Sequence, residues 1–120
     1  MKDLRGSEIL ITGGAGFIGS NLAMQLVALG AHVTVLDSFI LPYGGNRFNL
    51  FPIRKNIRIV NGDVRSIKIL SKLIDGKDFV FHLAGQTGRV ISMNRPELDI
   101  DINCLGTVNI LEAIKIKSRK

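Results

Sequence analysis

The residues with the clearest chemical potential are glycines that directly follow a short apolar run near the start of the chain. Residues 9–11 read Ile-Leu-Ile, and Thr12 follows them. Gly14, Gly16 and Gly19 then match the pattern G-x-G-x-x-G. The unbroken apolar run predicts a strand buried on both faces, and the apolar spacing after the glycines predicts a helix. Strand, glycine turn and helix in this order are the setting in which the pattern is functional.

Such a turn suits the binding of a dinucleotide pyrophosphate, because a helix N-terminus offers free N–H groups and partial positive charge. A side chain at Gly14 or Gly16 would obstruct the tight turn or the approach of the phosphates, and Gly19 lets the helix pack closely on the strand. An ATPase-type loop requires Lys and then Ser or Thr after its last glycine, whereas Ser20 and Asn21 stand here. ATP is therefore disfavoured. A turn that merely joins a strand to a helix is the alternative.

An acidic residue stands at the expected distance after the glycines. His32–Asp37 reads HVTVLD and predicts a second strand that ends in Asp37. A carboxylate there can accept both ribose hydroxyls of an adenosine and would repel a 2′-phosphate, which favours NAD over NADP. An S-adenosylmethionine methyltransferase shares a glycine loop and an acidic strand end. The sequence TGGAGFIG, with a helix that begins at Phe17, argues against that alternative.

Strands and helices alternate along the rest of the chain. The first helix is expected at about residues 17–29, and Ser66 is a plausible N-cap for Ile67–Ile74. Further strands are predicted at residues 57–60 and 78–83. This alternation predicts an α/β fold, a Rossmann-type doubly wound parallel sheet in the order 3-2-1-4, which forms one domain over residues 1–120.

Two stretches are predicted as loops. Residues 38–56 hold two of the three prolines, and we expect at most one helical turn there, around residues 46–50. Residues 86–95 are predicted to form a polar loop. Loops as long as the first are usually functional or mobile in compact domains.

Composition excludes several classes of partner. The net charge of +6 is scattered, apart from a cluster near the end that contains Lys115, Lys117, Arg119 and Lys120. Without interleaved aromatic residues or a reader motif, we expect a solvated face and no binding of nucleic acid. No apolar run approaches the ~20 residues of a membrane span, so no membrane partner is expected.

The beginning of the chain and its cysteine bear on location. Residues 1–3 lead directly into the first strand, and we expect no signal peptide. The single cysteine, Cys104, excludes an internal disulfide and fits a reducing cytoplasm. Its apolar helical setting predicts a buried thiol and not a nucleophile.

Residues 12–19 resemble the TGxxGxxG signature of the extended short-chain dehydrogenase/reductase family. Within that family the chain is similar to the first part of the NAD-dependent nucleotide-sugar epimerases and dehydratases. The resemblance implies NAD as cofactor and a nucleotide sugar as substrate of the complete enzyme. One example is a sugar-nucleotide 4-epimerase-like enzyme that acts by transient hydride transfer. It also implies that these residues are the cofactor half of such an enzyme, as a natural truncation or a fragment.

The resemblance further implies which residues contact the cofactor. An Asp-hydrophobic pair set against the adenine falls on Asp63 and Val64, although Asp63 also suits a turn before a helix. The family motif His-x-Ala-(Ala/Gly) falls on His82, Ala84 and Gly85, and we interpret His82 as a satisfied core histidine. The predicted cofactor-binding residues are Gly13, Gly14, Gly16, Phe17, Ile18, Gly19, Asp37, Asp63, Val64, Leu83, Ala84 and Gly85.

Several further matches carry weaker implications. They are a contact of Asn46 to the ribose or adenine and a contact of Arg89 to a substrate phosphate; a plain surface role is the alternative for each. The family pattern Asn-x-x-Gly-Thr falls on Asn103, Gly106 and Thr107.

The last helix is expected to begin at Pro96 and to be apolar on two sides. In the family the equivalent helix helps to build a dimer interface, which implies a homodimer through this helix. The two predicted apolar stripes are Ile100, Cys104, Val108, Leu111 and Ile114, and Ile102, Leu105, Ala113 and Ile116.

The sequence contains no catalytic pair of the family type. Family catalysis uses Tyr-x-x-x-Lys, but here Tyr43 is the single tyrosine and Arg47 stands four residues later. We therefore predict no catalytic residue in this chain. The alternative to the enzyme portion is a non-catalytic dinucleotide-binding module or sensor subunit.

Overall fold

The computed structural model describes residues 3–40 and 44–118. They form a parallel four-stranded sheet in the order β3-β2-β1-β4, which confirms the predicted Rossmann-type topology. The strands are β1 (Glu8–Thr12), β2 (His32–Asp37), β3 (Ile57–Asn61) and β4 (Phe79–His82).

The helices connect the strands and follow the last of them. They are α1 (Phe17–Ala28), a 3-10 helix (Arg47–Ile53), α2 (Ile67–Ile74), α3 (Arg89–Asn94), a short α4 (Glu97–Asp99), a π-helix (Ile100–Leu105) and α5 (Gly106–Ser118). Within the described ranges, no helix combines the length and the apolar character that crossing a membrane requires.

The sheet is covered on both faces, because alternate residues of a strand point to opposite sides. Ile9 and Ile11 of β1 face a core that includes residues of α1 and the 3-10 helix, such as Leu26 and Leu50. Leu10 faces a second core, to which α2 and α5 contribute residues such as Leu70. This double covering explains why β1 reads as a continuous apolar run.

Glycines and a serine cap define the helix ends. Gly30 follows α1 at φ +81° and Gly76 follows α2 at φ +71°, both in the left-handed region. Ser66 accepts a hydrogen bond from the N–H of Ile69, which confirms it as the N-cap of α2. The predicted bounds of β2 and α2 are confirmed without change.

The two predicted loops contain more helix than expected. In the first, the 3-10 helix covers seven residues, Arg47–Ile53, because Asn46 caps it at the N–H of Phe48 while Leu50 and Ile53 are buried. In the second, residues 89–94 form α3. Tyr43 and its neighbours at 41–42, as well as Arg119 and Lys120, lie outside the described residues.

The predicted single helix after Pro96 is wrong in its periodicity. A π-helix has more residues per turn than an α-helix, so the segment Ile100–Leu105 rotates the faces before α5 begins. The face that packs on the sheet consists of Ile102, Gly106, Ile110 and Ala113.

The buried face therefore coincides with neither of the two predicted apolar stripes. Ile102 and Ala113 pack inward, whereas the other apolar members of both stripes are largely exposed. Cys104 is exposed as well, so the expectation of a buried thiol is wrong. The exposed apolar members are Ile100, Leu105, Val108, Leu111, Ile114 and Ile116.

Candidate functional site

A cavity of about 540 Å³ lies outside the carboxyl ends of the strands. It runs from the end of β2 across the glycine turn to the segment after β4, the place where parallel open sheets bind ligands. All the residues predicted to bind a cofactor line it except Gly14. They are Gly13, Gly16, Phe17, Ile18, Gly19, Asp37, Asp63, Val64, Leu83, Ala84 and Gly85.

Within the glycine turn, the left-handed backbone conformation lies at Gly13 and not at Gly14. Gly13 has φ +68°, and a Cβ there would stand 2.6 Å from the backbone nitrogen of Ala84. A Cβ at Gly14 would stand 2.7 Å from a methyl carbon of Val35 on β2. A side chain at Gly14 would therefore disturb the packing of the turn against β2, and its expected effect on the phosphates stays a prediction.

Gly16 and Gly19 differ in the space around them. A Cβ at Gly16 would meet only the carbonyl oxygen of Gly13, at 3.3 Å. A Cβ at Gly19 would collide with that same oxygen and lie 2.7 Å from the Cα of Gly14. Gly19 thus allows the helix to approach the glycine turn itself, whereas a Cβ at Gly16 would require one backbone oxygen to shift by only a few tenths of an ångström.

The N-terminus of α1 keeps its positive character at the cavity. Gly16 occupies the N-cap position without a side-chain hydrogen bond, and no acidic residue lies in the first turn. Phe17 and Ile18, at 84% and 68% exposed, line the cavity from this turn. The free N–H groups and the helix dipole therefore favour an anion here.

Asp37 is buried, at 6% exposed, and both of its carboxylate oxygens accept backbone hydrogen bonds. Oδ2 accepts from the N–H of Ala15 at 3.0 Å, and Oδ1 accepts from the N–H of Phe39 at 3.0 Å. Gly45 passes so close that a Cβ there would stand 2.6 Å from Oδ2. Asp37 therefore joins the glycine turn to the end of β2 and also faces the cavity.

The carbonyl of the buried Ala15 ties the glycine turn to the 3-10 helix. It accepts from the N–H of Asn46 at 3.0 Å and from Asn49 Nδ2 at 2.9 Å. Asn46 lines the cavity, but its side chain is the cap of the 3-10 helix. Asn49 also lines the cavity and was not predicted, since no motif or periodicity distinguishes it from a surface asparagine.

The pair predicted against the adenine lies at the end of β3. Val64 is 5% exposed and packs beside Gly106 of α5. Asp63 forms an ion pair with Arg65 at 2.7 Å, and the hydrogen bonds of that guanidinium lower the pKa of the Asp63 carboxyl. The backbone carbonyl of Asp63 accepts the N–H of Ser66, so the turn role that the sequence left open is present in the structure.

Residues 84–86 form the opposite side of the cavity, which we call the 84–86 wall. The N–H of Ala84 donates to Thr12 Oγ1 at 3.3 Å. The side chain of Asn103 holds the backbone of Gln86: Oδ1 accepts from the Gln86 N–H at 2.7 Å, and Nδ2 donates to its carbonyl at 3.0 Å. The π-helix thus positions this wall, which explains the match at Asn103.

His82, at the end of β4, is hydrogen-bonded on both ring nitrogens, to Thr12 and Thr107. This confirms its interpretation as a satisfied histidine, and desolvation lowers the pKa of its imidazole.

Exposed Arg89 begins α3 and does not line the cavity. The guanidinium of Arg47 lies 4.2 Å from the ring centroid of Phe39.

The arrangement can hold a phosphate-containing ligand at the N-terminus of α1. Within residues 3–40 and 44–118, no group of three or more His, Cys, Asp or Glu side chains could hold a metal ion. No buried side-chain nitrogen or oxygen in these ranges lacks a hydrogen-bond partner.

Comparisons with known proteins agree with this geometry. A family model described as NAD dependent epimerase/dehydratase family matches residues 9–120. The CDP-paratose 2-epimerase of Salmonella typhi is 36% identical over 110 residues, which cover 90% of this chain and 32% of that protein. The dTDP-glucose 4,6-dehydratase of Mycolicibacterium smegmatis is 38% identical over 110 residues, which cover 90% of this chain and 33% of the relative.

A solved structure with a similar fold is that of the Bordetella bronchiseptica enzyme WbmF in complex with NAD+. It aligns with a TM-score of 0.85 at 32% identity, over 98% of this chain and 35% of that chain. The chain thus spans about a third of the length of the relatives that it matches.

Proposed function

The chain belongs to the NAD dependent epimerase/dehydratase family, and from this we propose that it is the NAD(H)-binding N-terminal portion of a nucleotide-sugar epimerase or dehydratase. One observation carries the proposal. The cavity joins an uncapped helix N-terminus at Gly16 to a buried carboxylate at Asp37. These two groups match the pyrophosphate and the ribose hydroxyls of a dinucleotide.

The residues present fit this cofactor. The absence of a side chain at Gly16 and the free N–H groups of α1 suit the pyrophosphate, and Asp37 suits the ribose of the adenosine. Asp63 and Val64 would lie toward the adenine, while Leu83, Ala84 and Gly85 line the side toward the nicotinamide ribose. When bound, NAD supplies the acceptance and return of a hydride. The chain contributes the binding and orientation of that cofactor.

The substrate of the whole protein is proposed to be a nucleotide sugar. The two relatives named above are an epimerase and a dehydratase that act on nucleotide sugars. A 4-epimerase-like reaction with transient hydride transfer is one member of this class. We place the protein in the cytoplasm, in agreement with its single cysteine.

Calorimetric titration of the 120-residue chain with NAD+ tests the proposed cofactor. We expect saturable binding to one site. Lys68→Gln, at an exposed position on α2 away from the cavity, should bind equally well. A folded chain that shows no heat of binding for NAD+ or NADH would contradict the proposal.

We expect no epimerase, dehydratase or dehydrogenase turnover from the 120-residue chain alone. The physical reason is that the sequence offers no Tyr-x-x-x-Lys pair to move the proton, since Arg47 stands four residues after Tyr43. The assay follows sugar interconversion and cofactor absorbance with the purified chain. Turnover that disappears on Gly16→Val would reveal a catalytic group that this interpretation has missed. Binding without turnover also fits the alternative of a non-catalytic module or sensor subunit.

We also expect the isolated chain to self-associate at micromolar concentration, as a homodimer through the last helix. β4 lies at the edge of the sheet, and the π-helix and α5 expose apolar side chains. Leu105 and Leu111 are 46% and 60% exposed. Lysine at both positions should shift the chain toward monomer without loss of core packing, because neither side chain belongs to a core.

Light scattering across the micromolar range measures this association. Val80→Lys is a poorer choice of variant, since Val80 packs against the second core and its replacement would also destabilise the fold. A monodisperse wild-type monomer over the whole range would contradict the expected interface.

A further inference from the structure

A chain of hydrogen bonds crosses three elements beneath the 84–86 wall. His82 Nδ1 on β4 lies 2.7 Å from Thr12 Oγ1 on β1. On the other side of the ring, His82 Nε2 lies 3.1 Å from Thr107 Oγ1 on α5. The imidazole is thus the link between the central strand and the last helix at the cavity.

The partners of the two hydroxyls determine where the protons lie. Thr107 has one hydroxyl proton and donates it to the backbone carbonyl of Asn103, at 2.6 Å. Its oxygen can therefore only accept from His82, and Nε2 must carry a proton. Thr12 Oγ1 already accepts the N–H of Ala84, which leaves its own proton free to donate to a bare Nδ1.

No other protonation state satisfies all of these contacts. In the tautomer with the proton on Nδ1, the lone pair of Nε2 would point at a lone pair of Thr107 Oγ1, and the two atoms would repel each other. An imidazolium would donate to Thr12 from Nδ1, and the Thr12 proton would lose its acceptor. The half-buried position of the ring disfavours the charged form in addition, because desolvation lowers the pKa of His82.

The same side chains hold both ends of the 84–86 wall. Thr12 accepts the N–H of Ala84, and Asn103, whose carbonyl accepts from Thr107, binds the backbone of Gln86. A displacement of either threonine would therefore displace the wall relative to the glycine turn. A fixed wall matters for binding because a preorganised site loses less entropy when its ligand binds.

We infer that His82, fixed as the neutral Nε2–H tautomer between Thr12 and Thr107, is a positioning residue that holds the 84–86 wall in its binding geometry. The part of this inference that concerns the cofactor rests on the proposed function. The part that concerns the tautomer and the wall rests on the hydrogen bonds alone. The two parts are therefore tested by different measurements on the same variants.

A matched pair of variants isolates the hydroxyl of Thr107. Thr107→Val keeps the shape of the side chain and removes the acceptor of the Nε2 proton and the donor to Asn103. Thr107→Ser keeps the hydroxyl and removes only a methyl group. Long-range 1H–15N spectra of histidine-labelled chain near neutral pH report the tautomer. His32→Gln assigns the two histidines, since exposed His32 bonds to Glu8 and not to this network.

In the wild-type chain and in Thr107→Ser, we expect a protonated Nε2, a bare Nδ1 and slow exchange of the Ala84 and Gln86 amides. In Thr107→Val, the Nε2 proton should exchange rapidly and both amides should exchange at least about tenfold faster. Affinity for NAD+ should fall by about 3- to 10-fold in Thr107→Val, the effect of one lost hydrogen bond, and by less than about twofold in Thr107→Ser.

Three results would overturn the inference whether or not the chain binds NAD+. They are a proton on Nδ1 in the wild-type chain, unchanged amide exchange in Thr107→Val, and equal defects in Thr107→Val and Thr107→Ser. If the wild-type chain binds no NAD+, the proposed function fails, while the tautomer and the exchange rates still decide whether His82 positions the wall. If the chain binds NAD+ and Thr107→Val binds it equally well, the proposed function stands and the positioning role is refuted.

Discussion

Replacing Gly16 by valine is expected to weaken NAD+ binding by about 5- to 150-fold while the chain keeps its fold. Gly16 has an extended backbone at φ −75° and ψ 176°, which a β-branched residue also adopts. Its Cβ would meet only one atom of the described chain, the carbonyl oxygen of Gly13 at 3.3 Å, and a shift of a few tenths of an ångström would relieve this tight contact. A bound pyrophosphate would lie against the new side chain, and overpacking a filled site costs about 1–3 kcal/mol. That cost corresponds to a loss of about 5- to 150-fold.

Gly19→Ala is the matched control for this experiment, and it should damage the fold. Alanine within a helix normally stabilises it by up to about 1 kcal/mol relative to glycine. Here the new Cβ would collide with the carbonyl oxygen of Gly13 and approach the Cα of Gly14 to 2.7 Å, so the free energy of unfolding should fall.

Thermal or urea unfolding and calorimetric titration of both variants separate the two roles. We expect Gly16→Val to unfold within about 1 kcal/mol of the wild-type chain. Unimpaired NAD+ binding by Gly16→Val would show that the phosphates do not approach this glycine. A more stable Gly19→Ala variant would show that the glycine turn is not closely packed on α1.

The parts of the fold that local chemistry specifies were predictable from the sequence. A serine cap and a following glycine define the ends of α2, and both act in the structure as expected. The run HVTVLD is apolar enough to be buried, and its bounds are those of β2. The glycine pattern and Asp37 also identified one cavity, because the ends of parallel strands meet at one edge of a sheet.

The parts that depend on tertiary contacts were not predictable. In the π-helix, the side chain of Asn103 forms two hydrogen bonds with the backbone of Gln86, seventeen residues away. No local propensity encodes that contact. Because the sequence does not reveal this contact, its apolar spacing after Pro96 predicts one continuous α-helix and therefore the wrong buried face. Asn49 was missed for the same reason, since its role depends on the carbonyl of Ala15. The separate roles of Gly13 and Gly14 required the position of the neighbouring strands.

The wild-type chain is expected to bind NAD(H) at least about 100-fold more tightly than NADP(H), because of the Asp37 carboxylate. Asp37 is 6% exposed and lines the cavity next to Ser38. The 2′-phosphate of NADP(H) would lie next to the Asp37 carboxylate in a partly dehydrated site. Bringing two negative charges together in this way costs several kcal/mol. Each 1.4 kcal/mol corresponds to a factor of ten in affinity.

The structure changes how variants of Asp37 must be analysed. Asp37→Ala removes the acceptor of the buried N–H of Ala15, which should cost about 1–3 kcal/mol of stability in addition to about 1.5–3 kcal/mol of NAD(H) affinity. A fall in affinity alone could thus reflect a disturbed glycine turn. The ratio of NAD(H) affinity to NADP(H) affinity separates the two effects, because a disturbed turn weakens the binding of both cofactors.

In Asp37→Ala the ratio of NAD(H) to NADP(H) affinity should fall toward one, even though both affinities decline. In the double variant Asp37→Ala with Ser38→Arg it should fall below one, because an arginine beside the ribose accommodates the additional phosphate. Calorimetric titration of each chain with each cofactor measures both ratios. Equal binding of the two cofactors by the wild-type chain would refute the assignment of Asp37 to the ribose. An unchanged ratio in Asp37→Ala would leave the carboxylate with its hydrogen bonds to Ala15 and Phe39 as its function, and the discrimination would then arise from another side of the cavity.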